Sequence, residues 1–475
     1  MSKYLARSHL VSAGLLAVLA GVYLAKSGHS TNLSLVAAGF ACLPLASRMK
    51  YAALVPAVLI GLNIGLWRGG WAYQNLRLYQ DFKDAKVTLV GKVDNDAAYA
   101  DKGQLEFIIG SITEDESQTK LPGTVRIRGY DAPSVRRGDV VKVAGKLREG
   151  FGSRQGFMSY ASVEVLSRDT SWLESVRSKF FAGTYTALPE PHASLGLGFL
   201  VGTRTLIPDA LLLALTVTGL THIVAVSGYN LTILVRLTRR LFSGKSLYIA
   251  TITSLALIAG FVLVTGLSPS IVRATVVSTL AILAWYYGRA IKPTVLLLTA
   301  AALTSLINPY YLWSDLGWYL SFAAFAGILI LAPLLSERIF KDKPKILGQI
   351  VLETTCAQIM TLPILMFSFS QLSVVSLLAN VIVLPLIPLA MLSTFLAGLA
   401  GMVMPAFAGW VAWPAKFILT FIVDAVHLLS RLPWALKELS AAPWQLALMY
   451  LAVISVILGL RRHSQRTLDA VEVIK

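Results

Sequence analysis

Charged residues are scarce in this chain of 475 residues. They make up 14% of the sequence, whereas hydrophobic residues make up 56% and the mean hydropathy is +0.67. Soluble globular domains carry about 25% charged residues, so much of this protein's surface must face lipid. Apolar stretches such as residues 247–267 and 444–460 are long enough to cross about 30 Å of hydrocarbon. A protein that is soluble throughout is therefore excluded.

The chain has too few cysteines and clustered histidines to predict a disulfide or a metal site. The two cysteines, Cys42 and Cys356, lie far apart within apolar runs, so neither a disulfide nor a cysteine zinc site is predicted. The six histidines form no metal-binding motif. Gly244-Lys245-Ser246 resembles the end of a phosphate-binding loop, but Arg239 occupies the position of its first glycine. We therefore expect no cofactor, no bound metal, no ATPase site and no enzymatic activity.

One polar segment, residues 84–169, interrupts the apolar sequence. It contains 13 Lys/Arg and 13 Asp/Glu, so its net charge is zero. Five runs in it alternate or concentrate β-forming residues between turn-rich segments, which is the pattern of short strands. These runs are residues 86–93, 104–113, 123–130, 139–147 and 157–166. Five strands in a segment of this length predict a small OB-like β-barrel, a fold that often binds oligonucleotides or oligosaccharides.

The third strand and the loop after the fourth carry the candidate DNA-binding residues. Basic and aromatic side chains mixed on one surface suit contacts with the phosphates and bases of a single strand. The candidates are Arg126, Arg128, Tyr130, Arg148, Phe151 and Arg154. Asp94, Asp96 and Asp101, in the loop after the first strand, would instead repel phosphate. An ordinary solvated face on a structural barrel is the alternative.

The net charge of +17 comes mostly from basic clusters in short loops between apolar runs. Such loops remain in the cytoplasm. The clusters at Arg48 and Lys50 and between Arg236 and Lys245 thus predict that the barrel lies outside the cell. We expect a multi-pass protein of the plasma (inner) membrane with both termini in the cytoplasm. We predict a polytopic α-helical protein of about 12 spans, one of which Pro385 and Pro388 interrupt. Its segments are N-terminal spans (1–70), barrel (84–169), an interfacial amphipathic helix (170–190), transmembrane channel domain (192–460) and cytoplasmic tail (461–475).

Polar residues inside apolar runs mark four clusters in the second half of the chain. Polar groups within a bilayer are costly, so they usually face a cavity or a partner. The clusters lie at 219–230, 266–274, 308–322 and 358–385. Their channel-lining candidates are His222, Ser227, Asn230, Ser268, Ser270, Arg273, Asp315, Gln358 and Asn380.

The four clusters, in this order, resemble the competence domain of the ComEC family. The first has the family's glycine, histidine and Ser-Gly at Gly219, His222 and Ser227-Gly228. The second has Gly-x-Ser-Pro-Ser-x-x-Arg-Ala at residues 266–274, and the third has Asn-Pro, Asp-x-Gly and Leu-Ser-Phe at residues 308–322. Where family members commonly carry a second histidine, this chain has Asn230.

The resemblance implies an inner-membrane channel that takes single-stranded DNA into naturally transformable bacteria. It also implies a DNA receptor outside the cell and recombination proteins inside. Because the sequence contains no ATP-binding motif, we expect a cytosolic ATP-driven translocase to drive the strand. Many members carry a C-terminal metallo-β-lactamase-like domain, which has no counterpart in this sequence, so a separate nuclease is expected. A secondary transporter of an anionic solute or polysaccharide, or a membrane-embedded glycan transferase, remains the alternative.

Several candidates also have a purely structural interpretation. His222 is equally compatible with a hydrogen-bonded core histidine, and Ser227-Gly228 with close helix packing. Arg273 contacts phosphate, or else snorkels to the interface or forms an ion pair with Asp315 or Glu353.

Overall fold

A computed structural model describes ten stretches of the chain. They are residues 7–31, 53–100, 104–130, 135–169, 171–202, 206–224, 246–266, 269–288, 292–340 and 345–463. The chain divides into two compact units. The first consists of residues 1–174 and 295–318, and the second of residues 175–294 and 319–475.

Two helices and six consecutive strands make up the described part of the first third of the chain. Helices α1 (Arg7–Ala25) and α2 (Leu54–Gln80) precede the strands. The strands of the barrel segment are β1 (Lys86–Val93), β2 (Ala98–Ala100), β3 (Gln104–Glu114), β4 (Lys120–Gly129), β5 (Val140–Glu149) and β6 (Gly156–Ser167).

The remainder of the described chain is helical apart from two short strands. The helices up to residue 314 are α3 (Trp172–Ala187), α4 (His192–Val201), α5 (Asp209–Val217), α6 (Thr221–Val224), α7 (Leu247–Thr265), α8 (Pro269–Tyr286), α9 (Pro293–Ile307) and α10 (Tyr310–Ser314). Those that follow are α11 (Leu316–Ala326), α12 (Ala332–Ile339), α13 (Ile346–Phe369), α14 (Ser376–Val383), α15 (Ile387–Val403), α16 (Ala408–Val411), α17 (Trp413–Ser430) and α18 (Pro443–His463). A π-helical turn (Gly327–Leu331), two 3₁₀ turns (Leu384–Leu386 and Pro405–Phe407) and the paired strands β7 (Gln371–Ser373) and β8 (Leu436–Glu438) complete the set.

Strands β1, β3, β4, β6 and β5 close into a barrel in that spatial order. All neighbours are antiparallel except β4 and β6, which are parallel, and β1 closes the barrel by pairing with both β3 and β5. The alternating inward residues form a core that includes Leu89, Phe107, Ile127 and Met158, none of which is exposed. All five predicted strands are present, and the OB-like barrel is confirmed. Strand β2, which pairs only with β3, was not predicted.

Glycines allow α1 and α2 to pack with their backbones in contact. A Cβ atom at Gly65 would collide with the carbonyl oxygen of Val18, and one at Gly61 would collide with that of Gly14. Such close approach is typical of membrane helices that meet through small residues. Helix α2 extends past this contact, and its Tyr79 lies buried in the barrel core.

Residues 295–318 belong to the first unit because α10 packs against α1 and α2. The Trp313 indole N–H donates to the carbonyl oxygen of Val22 at 2.7 Å, and the Tyr310 hydroxyl donates to that of Ala72 at 3.1 Å. Lys26 Nζ donates to the Trp313 carbonyl oxygen at 3.1 Å. A helix of only five residues is thus held by hydrogen bonds to residues 238 to 291 positions away in sequence.

The core of the second unit consists of short and interrupted helices. Buried side chains of α4, α5, α6, α14, α15 and α17 form one cluster. Helix α14 gives way to the 3₁₀ turn Leu384–Leu386 before α15 begins, which confirms the predicted interruption at Pro385 and Pro388, since proline lacks the amide hydrogen that a helix needs. Helix α3, predicted to lie in the membrane interface, packs Gly183 directly against the backbone at Gly401 of α15.

Seven helical segments in the described part of the chain are long and apolar enough to cross a membrane. They are Ser8–Ala25, Leu247–Thr265, Leu316–Ile339, Leu347–Phe369, Ser376–Val403, Trp413–Ser430 and Pro443–Arg461. Shorter apolar helices are His192–Val201, Ser270–Tyr286 and Pro293–Ile307. The architecture fits a membrane protein with an inserted OB-like barrel, while the count of about 12 spans stays a prediction.

Candidate nucleic-acid interface

The six candidate DNA-binding residues lie on one outer face of the barrel or in the loop beside it. Along β4, Val125 and Ile127 point into the core while Arg126 and Arg128 point outward. Arg126 pairs in register with Phe157 of β6, which in turn pairs with Arg148 of β5. Paired residues in a sheet share a face. We call this surface the arginine face; it comprises Glu106, Arg126, Arg128, Tyr130, Arg148, Phe151, Arg154, Phe157 and Tyr160.

A single carboxylate ties together the two arginines of β4. Glu106 lies on β3 directly across from Arg128. Its Oε1 is 3.3 Å from Arg126 Nε and its Oε2 is 2.5 Å from Arg128 Nε. All three side chains are partly exposed, at 18% for Arg126, 39% for Arg128 and 22% for Glu106. One carboxylate thus contacts both guanidiniums, and both arginine side chains remain partly exposed.

Aromatic rings lie beside each of these arginines. The Arg126 guanidinium lies 4.7 Å from the Phe151 ring centroid, and that of Arg128 lies 5.8 Å from the Phe157 centroid. Tyr130 stacks on Tyr160 with centroids 5.3 Å apart. Phe151 and Tyr160 are exposed, at 55% and 72%. Alternating cations and rings offer stacking surfaces for unpaired bases.

Glu106, Phe157 and Tyr160 belong to this face but were not predicted from the sequence. Their signal was present in part, because alternation along the predicted strands puts Glu106 and Phe157 on the solvent side of β3 and β6. The cross-strand register that brings them next to Arg126 and Arg128 is a tertiary property. Tyr160 additionally has a positive φ of 56°, a departure from strand geometry that alternation does not anticipate.

Arg154 is the guanidinium of this face with the most unusual environment. Burial and the nearby charge of Arg126 lower its pKa to about 10, while Glu106, Asp315 and Tyr311 oppose that shift. It remains charged at neutral pH. Burial likewise lowers the pKa of Arg126. The carboxylates of Glu106 and Asp315 attract the Arg154 guanidinium, although no salt bridge joins Arg154 to another described residue.

The loop that carries Phe151 and Arg154 is fastened to α10 within the first unit. Ser314 Oγ donates to the carbonyl oxygen of Gly152 at 2.5 Å. Gln155, which is buried, accepts from the Thr124 amide at 2.6 Å and hydrogen-bonds to Tyr310. Asp315, a predicted channel-lining residue, follows directly and accepts from the Trp318 amide at 3.0 Å, which caps α11. The structure thus brings Asp315 near the barrel residue Arg154.

Arg273 is buried within the second unit. Only 4% of it is exposed, although it lies in the apolar helix α8, and its Nη2 donates to Ser270 Oγ at 3.1 Å. These two candidates lie one helical turn apart on the same helix. Asp315 belongs to the first unit, so the suggested Arg273–Asp315 pair stays a prediction.

The first and fourth polar clusters meet in the second unit. Gly219, which has a φ of +71°, packs against Ser376 at the start of α14. Asn380 is 4% exposed and its Nδ2 is 3.4 Å from Ser376 Oγ. His222 is exposed, and its Nδ1 is 2.9 Å from the Gly219 carbonyl oxygen. Gln358 is half-buried on α13. Ser227, Asn230 and Ser268 lie outside the described residues.

Helix α17 carries a polar stripe. Its members recur every three or four residues, which at 3.6 residues per turn confines them to about 80° of the helix circumference. They are Lys416, Thr420, Asp424, His427 and Arg431. The His192 ring of α4 meets this stripe, with Nε2 2.9 Å from Thr420 Oγ1. Because the Thr420 hydroxyl donates to the Lys416 carbonyl oxygen, it accepts from His192 Nε2–H.

Comparison with known proteins identifies the family. A model of the family described as "Competence protein" matches residues 199–463. ComE operon protein 3 of Bacillus subtilis (strain 168) is 28% identical to the chain over 314 residues, which cover 62% of this chain and 37% of the relative. The chain thus spans less than two fifths of that relative's length. No solved structure matches. Because the family model covers more than half of its residues, this chain belongs to the ComEC family of competence proteins.

Proposed function

We propose that this protein forms a channel that moves single-stranded DNA across the cell membrane into the cytoplasm during natural transformation. Membership of the competence-protein family supports a role in DNA uptake. The observation that carries the channel proposal is the buried guanidinium of Arg273 on the apolar helix α8. Arg273 lies in the first turns of this apolar helix. A charged side chain within a membrane segment is costly, so a buried guanidinium there faces a polar path or a partner. A guanidinium suits phosphate because it can contact two oxygens at once.

The direct test is DNA uptake by living cells. In a naturally transformable host, deletion of the gene is expected to leave labelled DNA bound outside but absent from the cytoplasm, and to abolish its integration. Re-expression of the intact chain restores both. Normal entry of labelled DNA in the deletion strain would contradict the proposal.

The polar stripe of α17 supplies a candidate wall for the path. Lys416 and Asp424 are exposed on this candidate membrane helix, whereas its opposite face, including Leu419, Ile422 and Val426, is buried in the core. Charged side chains facing hydrocarbon would be unfavourable. A water-filled path accommodates both charges and lets the chain hold a hydrated polyanion.

Thiol accessibility tests this wall. In a chain with Cys42→Ala and Cys356→Ala, Thr420→Cys is expected to react with a charged methanethiosulfonate at least about tenfold faster than Phe421→Cys, because the reactive thiolate forms in water. The matched control, Phe421, is the next residue, about 100° around the helix, and is 49% exposed. Equal rates would contradict a wet stripe beside a lipid-facing side.

The arginine face is the proposed contact for the strand before it enters the membrane. Arg126, Arg128, Arg148 and Arg154 supply charge, and the neighbouring rings supply stacking surfaces. The hydrogen bond from Ser314 to the loop carbonyl of Gly152 links this surface to α10 within the same unit. The arginines would contact the phosphates of a bound strand, and the rings would contact its bases.

The proposed topology puts the barrel outside and both termini in the cytoplasm. Ser117 is exposed in the turn between β3 and β4. An impermeant thiol reagent should therefore label Ser117→Cys in intact cells, in a chain with Cys42→Ala and Cys356→Ala. Gln465→Cys, in the predicted cytoplasmic tail, should react only after lysis. The reverse pattern would overturn the orientation.

We propose separate partners for the steps of DNA uptake that this chain does not perform. Strand movement needs a cytosolic ATP-driven translocase, and capture needs a DNA receptor outside. Removal of the second strand needs a separate nuclease, since we propose that this chain is a channel and not an enzyme. The lipid bilayer surrounds the helical part, with about 12 spans in total.

A further inference from the structure

We propose that Glu106 makes the arginine face selective for single-stranded over double-stranded DNA. The inference rests on the proposed DNA contact at this face and deepens it, by assigning the discrimination to one residue. Glu106 lies on β3 across from Arg128, and its two carboxylate oxygens contact Arg126 and Arg128.

The first effect of Glu106 is to reduce the attraction of the face for phosphate. Its carboxylate occupies the Nε side of both guanidiniums, so neither charge is fully available. Binding of DNA through phosphates gains from the release of condensed counterions, and this gain grows with the charge density of the DNA. A duplex has the higher charge density and depends most on this contribution. Glu106 therefore weakens duplex binding more than single-strand binding.

The second effect is to orient the guanidiniums over rings. Glu106 accepts a hydrogen bond from Arg128 Nε and forms a 3.3 Å ion pair with Arg126. Arg126 lies over Phe151, and Arg128 lies over Phe157. Phe151 and Phe157 are themselves in edge-to-face contact, with centroids 6.1 Å apart. These surfaces can bind the flat faces of unpaired bases, each worth about 1–3 kcal/mol. Bases in a duplex already stack on their neighbours and cannot use them.

The two effects act in the same direction. Single strands bind by stacking, which Glu106 preserves, while duplexes bind by charge, which Glu106 diminishes. An ion pair that served only to stabilise the barrel would have no reason to affect the two forms of DNA differently.

The test uses the full-length protein in detergent micelles. Binding of a fluorescent 20-nucleotide strand and of the matching duplex is measured over a range of salt concentrations, for the wild type and for Glu106→Gln. The matched control is Asp115→Asn, which changes the barrel's charge equally by breaking the 2.6 Å pair between Asp115 and Lys142, outside the arginine face. Glu106→Thr, which suits a strand, provides a second loss of the charge.

We expect both Glu106 variants to raise duplex affinity about tenfold at low salt and single-strand affinity less than about threefold, and to steepen the duplex salt dependence by about one to two units of slope. Asp115→Asn should leave the preference unchanged. Equal gains for both DNA forms, no gain, or the same gain in Asp115→Asn would overturn the role of Glu106. Failure of the wild type to bind single strands would instead remove the proposed DNA contact of the face. Unfolding temperatures near that of the wild type establish that the variants are folded.

Discussion

Arg273→Gln is expected to lower transformation roughly a hundredfold while leaving the abundance of the protein within about twofold of the wild type. The guanidinium is buried in α8 and contacts Ser270. Glutamine retains part of the side-chain length but removes the charge that we assign to the DNA path. Loss of a charge-assisted contact of about 3 kcal/mol corresponds to a decrease of roughly a hundredfold. Transformation frequency and immunoblotting of membranes provide the two measurements.

The companion variants separate a functional charge from a structural one. Arg273→Lys retains a point charge without the planar guanidinium, and we expect part of the activity to remain. Arg338→Gln, an exposed arginine at the end of α12, is the matched control and should transform normally. If Arg273 instead pairs with Asp315, each single neutralisation would lower abundance and the double variant would recover both abundance and uptake. That recovery would remove Arg273 from the path.

Gly65→Leu is expected to deplete the folded protein from the membrane. Even the first side-chain atom at this position would collide with the Val18 carbonyl oxygen, and it would also approach the Val22 amide nitrogen at 2.7 Å. Backbone atoms cannot move aside as a flexible side chain can, so α1 and α2 must separate. Overpacking costs about 1–3 kcal/mol where a core can relax, and we expect at least the upper end here.

The control for this change is Gly260→Leu in helix α7. A Cβ atom at Gly260 meets nothing within 4 Å, and the residue is exposed. Its abundance and unfolding temperature in detergent should match those of the wild type, whereas Gly65→Leu should reduce membrane abundance several-fold. Equal abundance of both variants would mean that the close contact between α1 and α2 is not needed for folding.

Local patterns were sufficient to predict the barrel. The strands around Val125 and Ile127 alternate buried and outward residues, and this alternation is a property of each strand by itself. It therefore predicted that Arg126 and Arg128 share one face. The interruption at Pro385 was equally local, because the missing amide hydrogen acts within one helical turn.

Contacts between distant parts of the chain could not be predicted in the same way. The bond from Ser314 to Gly152 joins residues 162 positions apart, and Trp313 reaches Val22 across 291 positions. No periodicity encodes such pairs. The ion pair of Glu106 with two arginines also depends on the register between β3 and β4, which a single sequence does not specify.

Motif resemblance and physical patterning contributed different kinds of information. The ordered clusters around Gly219, Arg273 and Asp315 identified the family, which the family match then confirmed. They did not reveal that Asp315 caps α11 near Arg154 in the first unit, since shared residues imply a shared architecture without giving its contacts. The contact between Thr420 of α17 and His192 of α4 likewise joins residues 228 positions apart, which no motif encodes.

Site-specific crosslinking to DNA in transit tests the channel most directly. A photoreactive amino acid replaces Ser270 beside Arg273, Tyr160 on the arginine face, or Leu396 on the exposed apolar surface of α15. Cells that are taking up labelled DNA are then irradiated. The proposed path predicts DNA adducts at positions 160 and 270 and none at 396. DNA that enters the cytoplasm without forming an adduct at position 270 would contradict the passage of the strand beside Arg273.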